Sequence, residues 1–154
     1  MKMKSEKLKL QQLVPYLPYG LQFECLDYKR DYVGEKYCTA IGFWMLNERP
    51  YIKFYVDTAP KSLENIKPIL RPLSDLTKDI NHNNETFTPY ECNIFVELCA
   101  ELKTVEYLCE CTGDISYSDK IPYRLFIWLF EHHFDVFGLI DSGLAIDINA
   151  LNQE

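Results

Sequence analysis

Residues 125–130 read Leu-Phe-Ile-Trp-Leu-Phe, apolar on every side of a helix. A segment with no polar face has to be covered on most sides, so the fold must be built around it. We expect the helix to begin near Lys120, to run to about Phe137 and to lie across a sheet as the central helix. Gly138 would be its C′ residue, because glycine takes the left-handed conformation that closes many helices.

The sheet itself is legible upstream. Leu21, Phe23 and Cys25 alternate with Gln22 and Glu24 in residues 21–28, the pattern of a half-buried strand. Residues 36–46 (KYCTAIGFWML) are β-branched and aromatic, and Gly42 suggests a bulge. The turn NERP leads into YIKFYV, residues 51–56. These three strands predict an antiparallel meander. A second hairpin is expected over residues 104–118, about Thr112-Gly113-Asp114. The expected class is α+β: a small antiparallel meander plus a hairpin, packed against two main helices.

The second main helix should start at TPYE, residues 88–91. Thr88 as N-cap, Pro89 at N1 and Glu91 at N3 have the form of a capping box. Cys92, Phe95, Val96, Cys99 and Leu102 would be its buried face. A shorter helix is expected around Leu10, Leu13, Val14 and Leu17, with Ser5 as cap and Tyr19-Gly20 as its end. Residues 57–73 read as a Pro-rich loop, Ser74 as the cap of SDLTKDI, NHNN (81–84) as a turn, and LAIDIN as an edge strand. Arg71 and Asp75 are expected to form a buried or half-buried ion pair that orders the loop. Residues 1–9 read as a flexible basic arm, and 10–154 as a single domain.

Charge is unevenly spread. Residues 1–84 hold 13 Lys+Arg and 10 Asp+Glu, giving +3; residues 85–154 hold 3 and 13, giving −10, and together they make the net −7. An acidic half repels phosphates, so nucleic acid is an unlikely partner. It suits a basic protein surface instead. No apolar run is long enough for a membrane span, and no signal peptide is read, so the cytoplasm is the expected location.

Chemistry-bearing residues are few in kind. The stretch EHHFD (131–135) and the C-x-C pair Cys109/Cys111 supply the candidate metal ligands: His132, Asp135, Cys109 and Cys111, with His82 as a further donor. Two ligands on one helical face are a start, but zinc takes three or four. The competing reading is preferred here: the histidines end a helix and answer its dipole, and the cysteines are small buried side chains. No G-x-S-x-G, P-loop or G-x-G-x-x-G occurs. The chain is therefore read as a non-catalytic protein with no cofactor. The alternative is a small cytosolic Cys/His metal-binding protein or enzyme.

The strings IKPILRPLSDLTKDI (66–80), LFEHHFDVFGLIDSGLAIDIN (129–149) and LQQLVPYLPYGLQF (10–23) resemble a family of short uncharacterised proteins encoded by phages and prophages of gut bacteria. The resemblance implies an accessory protein of a mobile element in a bacterial cytoplasm. It carries no functional residues with it. The expected partner is a host or phage protein met through the acidic surface; a homodimer through an exposed aromatic surface stays open.

Overall fold

The computed structural model describes residues 7–30, 35–55, 59–98, 107–110, 113–116, 118 and 121–151. The class is α+β. A six-stranded sheet runs in the order β4-β3-β2-β1-β5-β8, and a separate hairpin pairs β6 with β7. The strands are β1 (Gln22–Cys25), β2 (Tyr37–Leu46), β3 (Arg49–Phe54), β4 (Lys61–Ser62), β5 (Ile66–Leu70), β6 (Ile80–His82), β7 (Glu85–Phe87) and β8 (Ile146–Asp147). Every pairing is antiparallel except β5 with β8.

The expected meander is β1-β2-β3. Its bulge falls where Gly42 predicted it: the β2–β3 register slips between Ala40 and Gly42. The turn after β2 takes Asn47 and Glu48 into positive φ (48° and 62°), the primed geometry that suits tight hairpins. NHNN is likewise a turn, with Asn83 and Asn84 at φ 53° and 67°. The expected edge strand at the tail is β8.

One strand was not foreseen. Residues 66–70, read as loop because of their prolines, form β5 beside β1, with Phe23 opposite Pro68. A proline is tolerated there because β8 pairs only with Ile69 and Leu70, so β5 is still an edge on that side at Pro68.

Two cores result. The first lies under the sheet and buries Leu13, Tyr16, Leu21, Phe23, Ile52, Phe54 and Leu70. The second gathers Leu73, Leu76, Ile80, Phe95, Leu108, Leu125, Leu129, Phe134 and Val136. The apolar helix, Tyr123–Glu131 (α3 below), belongs to the second core and does not lie across the meander. It is also shorter than expected. His132 leaves the helical region at φ −96° and ψ 11°, and His133 turns left-handed at φ 60°. Histidine tolerates that conformation better than most residues, so the helix stops before any glycine is needed. Gly138 serves a different purpose: a Cβ there would sit 2.3 Å from the Gly113 Cα.

Other expectations are corrected locally. Thr88 caps no helix with its side chain, because its hydroxyl donates to Asp79 at 2.6 Å. Pro89–Glu91 is a 3-10 turn, and the α-helix that follows is Asn93–Leu98. Val96, assigned to its buried face, is 65% exposed. Residues 107–110 are helical, so Cys109 is not on a strand, and the expected hairpin over 104–118 does not form there. Its Thr112, like Ser5, Cys99, Leu102 and Cys111, lies outside the described residues. Ser74 sits inside a 3-10 turn, Leu73–Thr77, that Pro72 begins. Of the N-terminal arm, Leu8 packs on the first core and Lys7 pairs with Glu64 at 3.1 Å.

The cores meet at Tyr16. Its ring packs against Phe130 (centroids 5.0 Å apart) and Phe137 (6.2 Å). Its buried hydroxyl donates to the Phe134 carbonyl at 2.7 Å and accepts from the Val136 N–H at 3.1 Å. Burial raises this phenol well above the ordinary value, so it stays neutral. Tyr16→Phe leaves two buried backbone groups unanswered and should cost about 1–3 kcal/mol in urea unfolding. A loss under about 0.3 kcal/mol would mean that the bridge is unimportant. In the same assay Gly138→Ala should cost more than about 3 kcal/mol, from collision added to φ strain, and Gly143→Ala about 1–2 kcal/mol from strain alone, since nothing stands near it.

Candidate functional site

Of the proposed metal ligands, His132, Asp135 and Cys109 join no metal-binding group among the described residues, and Cys111 lies outside them. Asp135 lies beyond the end of α3, so it shares no helical face with His132. Its carboxylate is occupied in closing the following turn, accepting from the N–H groups of Leu139 (2.9 Å) and Ile140 (2.8 Å). Cys109 sits beside Thr77 and Lys78, and burial raises its thiol, which disfavours the reactive thiolate. Among the described residues no group of three or more His, Cys, Asp or Glu could hold a metal ion. Cys25 and Cys38 are buried neighbours under the sheet, and burial pushes the Cys25 thiol up to about 12. The described cysteines are thiols; Cys25 and Cys38 are core residues, and Cys92 and Cys109 are half-buried.

All three histidines of the chain do meet. The His82 ring lies 4.6 Å from His132 and 5.6 Å from His133. Trp128, one turn back on α3, stacks on His132 at 3.9 Å, and Phe87 of β7 meets it edge-on. A carbonyl can only accept, so each bond to one fixes a ring proton: His132 Nδ1–H donates to Trp128 at 2.8 Å and His133 Nε2–H donates to Tyr19 at 2.9 Å. Burial lowers the basicity of all three rings, that of His133 to about 4. They are neutral aromatic packing at physiological pH.

Arg71 stands among them, buried, without the expected ion pair. Its Nη2 donates to the Asn81 carbonyl at 3.1 Å, its guanidinium lies over Phe134, and its Nε has no partner. Asp75 pairs instead with Lys78 at 2.7 Å and accepts from Asn149 at 2.7 Å. Desolvation destabilises the buried cation, and it is the largest effect on Arg71.

The unusual surface lies elsewhere. Beyond Ala40, β2 has lost β1 as a neighbour and continues beside β3 as a hairpin arm, flanked by β4 at Tyr51 and Ile52. Its pairs are Phe43 with Ile52, Trp44 with Tyr51, Met45 with Pro50 and Leu46 with Arg49. Pleating puts Phe43 and Met45 on the face that carries buried Ile52, and Trp44 and Leu46 on the other. All four are about half exposed: 48%, 55%, 49% and 56%. Ile41 and Tyr55 are exposed as well. Alternation alone could not reveal this. The same residues on a strand covered by a helix would have been core; what exposes them is that no residue from Ile41 to Tyr51 belongs to either core, and the first core reaches β3 only at Ile52 and Phe54. Against the β3 side of the arm is a recess of about 1220 Å³ lined by Arg49, Pro50, Tyr51 and Lys61 among others, with Lys61 held by Asp27 at 2.9 Å.

Comparison with protein-family models, curated proteins and solved structures finds no match to this chain. No described helix is long and apolar enough to cross a membrane. Fold and surface define a class only: an α+β protein with an apolar hairpin arm.

The histidine cluster generates a pH dependence. His133 has a folded value of about 4 against 6.5 for a free imidazole. The unfolded chain therefore binds the proton more readily. The stability from the neutral ring is fully present above pH 6.5 and is lost as pH falls from there toward 4. His82 and His132 act in the same direction, and Asp135, whose value burial raises, acts in the opposite one. His133→Asn keeps a side chain that accepts positive φ and removes the proton site. Between pH 7.5 and 4.5 the variant should lose about 2 kcal/mol less than the parent in urea unfolding. Equal losses would show that His133 carries no such effect.

Proposed function

We propose that the protein is a non-catalytic accessory protein of a phage or prophage, working in the bacterial cytoplasm by binding a host or phage protein. The observation that carries this reading is the arm. Contiguous apolar surface in water is costly, and where it persists on a folded monomer it marks an interaction site. Trp44, Phe43 and Met45 are of the types that dominate protein interfaces. The rings of Trp44 and Phe43 are held on a paired backbone, so they lose little side-chain freedom on docking.

Charge supports the same reading from the other half of the chain. Glu85, Glu91, Glu97, Glu110, Glu131 and Asp141 are exposed, giving residues 85–154 a negative surface. Such a surface favours a basic protein patch and speeds its approach, while turning nucleic acid away. The arm supplies affinity and the acids supply steering.

The test is purification of the untagged protein at low salt from the cells that make it, with mass spectrometry of what stays bound. A second protein near equal amount should accompany the parent and be lost from Trp44→Glu. Because Trp44 is half exposed, that change should leave thermal unfolding within a few degrees. Raising the salt should weaken the complex through its acidic part. A parent that retains nothing, or a variant that retains the same protein equally well, would defeat the proposal.

A further inference from the structure

The two edges of the arm are treated differently. The outer edge of β3 carries Arg49, Pro50 and Lys53, and β4 pairs with it at Tyr51 and Ile52. Charge, proline and cover are the devices that keep an edge from recruiting strands. The opposite edge of β2 has none of them. β1 accompanies β2 only as far as Thr39, with one more bond from Ala40 N–H to Leu21. From Ile41 to Leu46 no strand among the described residues pairs with that side. The segment is Ile-Gly-Phe-Trp-Met-Leu, without charge or proline.

Backbone geometry says where its free groups point. In a hairpin closed by a two-residue turn the flanking pair, here Leu46 and Arg49, exchanges hydrogen bonds. By alternation the N–H and C=O groups of Phe43 and Met45 face outward. Antiparallel pairing about a two-fold axis at Trp44 would then set Phe43 against Met45 of a second copy, so that each outward group finds its complement. The same register sets Leu46 against Gly42 and Trp44 against Trp44. Apolar rows match on both faces, and no charge meets its like. Shifting the axis by one residue either draws in the bulge at Ile41 or halves the paired length.

We propose that the free edge of β2, Ile41–Leu46, pairs antiparallel with the same edge of a second copy, with Trp44 on the axis. The proposal rests on the binding reading above and gives the arm one occupant. The exposed halves of Phe43, Trp44, Met45 and Leu46 come to about 100 Å² each on the scale of an aromatic side chain. Edge pairing covers the backbone and only the flanks of these side chains, so two copies bury less than about 1,000 Å², in the range of weak interfaces. A weak dimer follows. Its four-stranded ribbon joins the Trp44 and Leu46 rows of both copies into one platform.

Sedimentation of the full chain from about 1 to 200 µM tests this. The parent mass should rise from 18.2 kDa toward twice that value. Trp44→Glu and Trp44→Lys place like charges together on the axis, so each alone should stay monomeric, while an equimolar mixture should return to double mass. A parent that stays monomeric throughout, a Trp44→Glu protein that dimerises like the parent, or a mixture that stays monomeric would overturn the proposal. A monomeric parent whose cellular partner is still lost on Trp44→Glu leaves the binding reading standing without the dimer. A dimeric parent that retains no cellular protein does the reverse.

Discussion

A single phenol holds the two halves of this fold in register. Tyr16 lies in the core under the sheet, yet its hydroxyl is bonded to the backbone of Phe134 and Val136 in the other core. Around it the backbone is stitched again: Arg71 N–H donates to His133 C=O, and Asp135 N–H donates to Arg71 C=O, both at 2.8 Å. These bonds place the end of α3 against the end of β5. The three histidines, the buried Arg71 and the turn capped by Asp135 all follow from that seam. Its polar groups are nearly all answered, which is why it tolerates low dielectric; the Arg71 Nε is the exception.

Away from the seam the energetics invert. The arm is held by its own ladder, by β4 on one side and by the core at Ile52 and Phe54 of β3. Stability is concentrated where Tyr16, Phe23, Phe54 and Leu70 are sealed, and apolar surface is spent where nothing seals it. A protein that needed only to fold would gain by replacing Trp44 and Leu46 with polar residues, since both face water. Their exposure is a property of the surface that folding does not require.

How much of this the sequence disclosed depended on the range of the cause. The bulge at Gly42, the turns at Asn47-Glu48 and Asn83-Asn84, the meander and the tail strand are set by a few adjacent residues and were legible. β5 was not, because Pro68 reads as a breaker until one knows that its second neighbour starts a residue later. The end of α3 was misplaced because a glycine five residues on looked like the natural stop, while the left-handed residue was His133. The candidate ligands were chosen by spacing, which reports which residues share a helix face and nothing about carbonyls elsewhere in the chain. Two of the three histidines proved to be bound to such carbonyls, at Trp128 and Tyr19. The arm was visible as a strand but its exposure was not, since exposure is decided by what lies beneath.

The bond from Tyr16 to Phe134 joins residues 118 positions apart, and β5 waits for β8, which begins at Ile146. On a ribosome, then, the sheet cannot be closed while the chain emerges: its last strand and Leu139 of its core arrive after residues 21–70 have already been made. Folding that depends on such distant contacts is slow, and the uncharged edge of β2 is available to other nascent chains for the whole interval. Neighbouring chains on one message would carry that edge at high local concentration. Assembly of the arm could therefore begin during translation, before either body is complete.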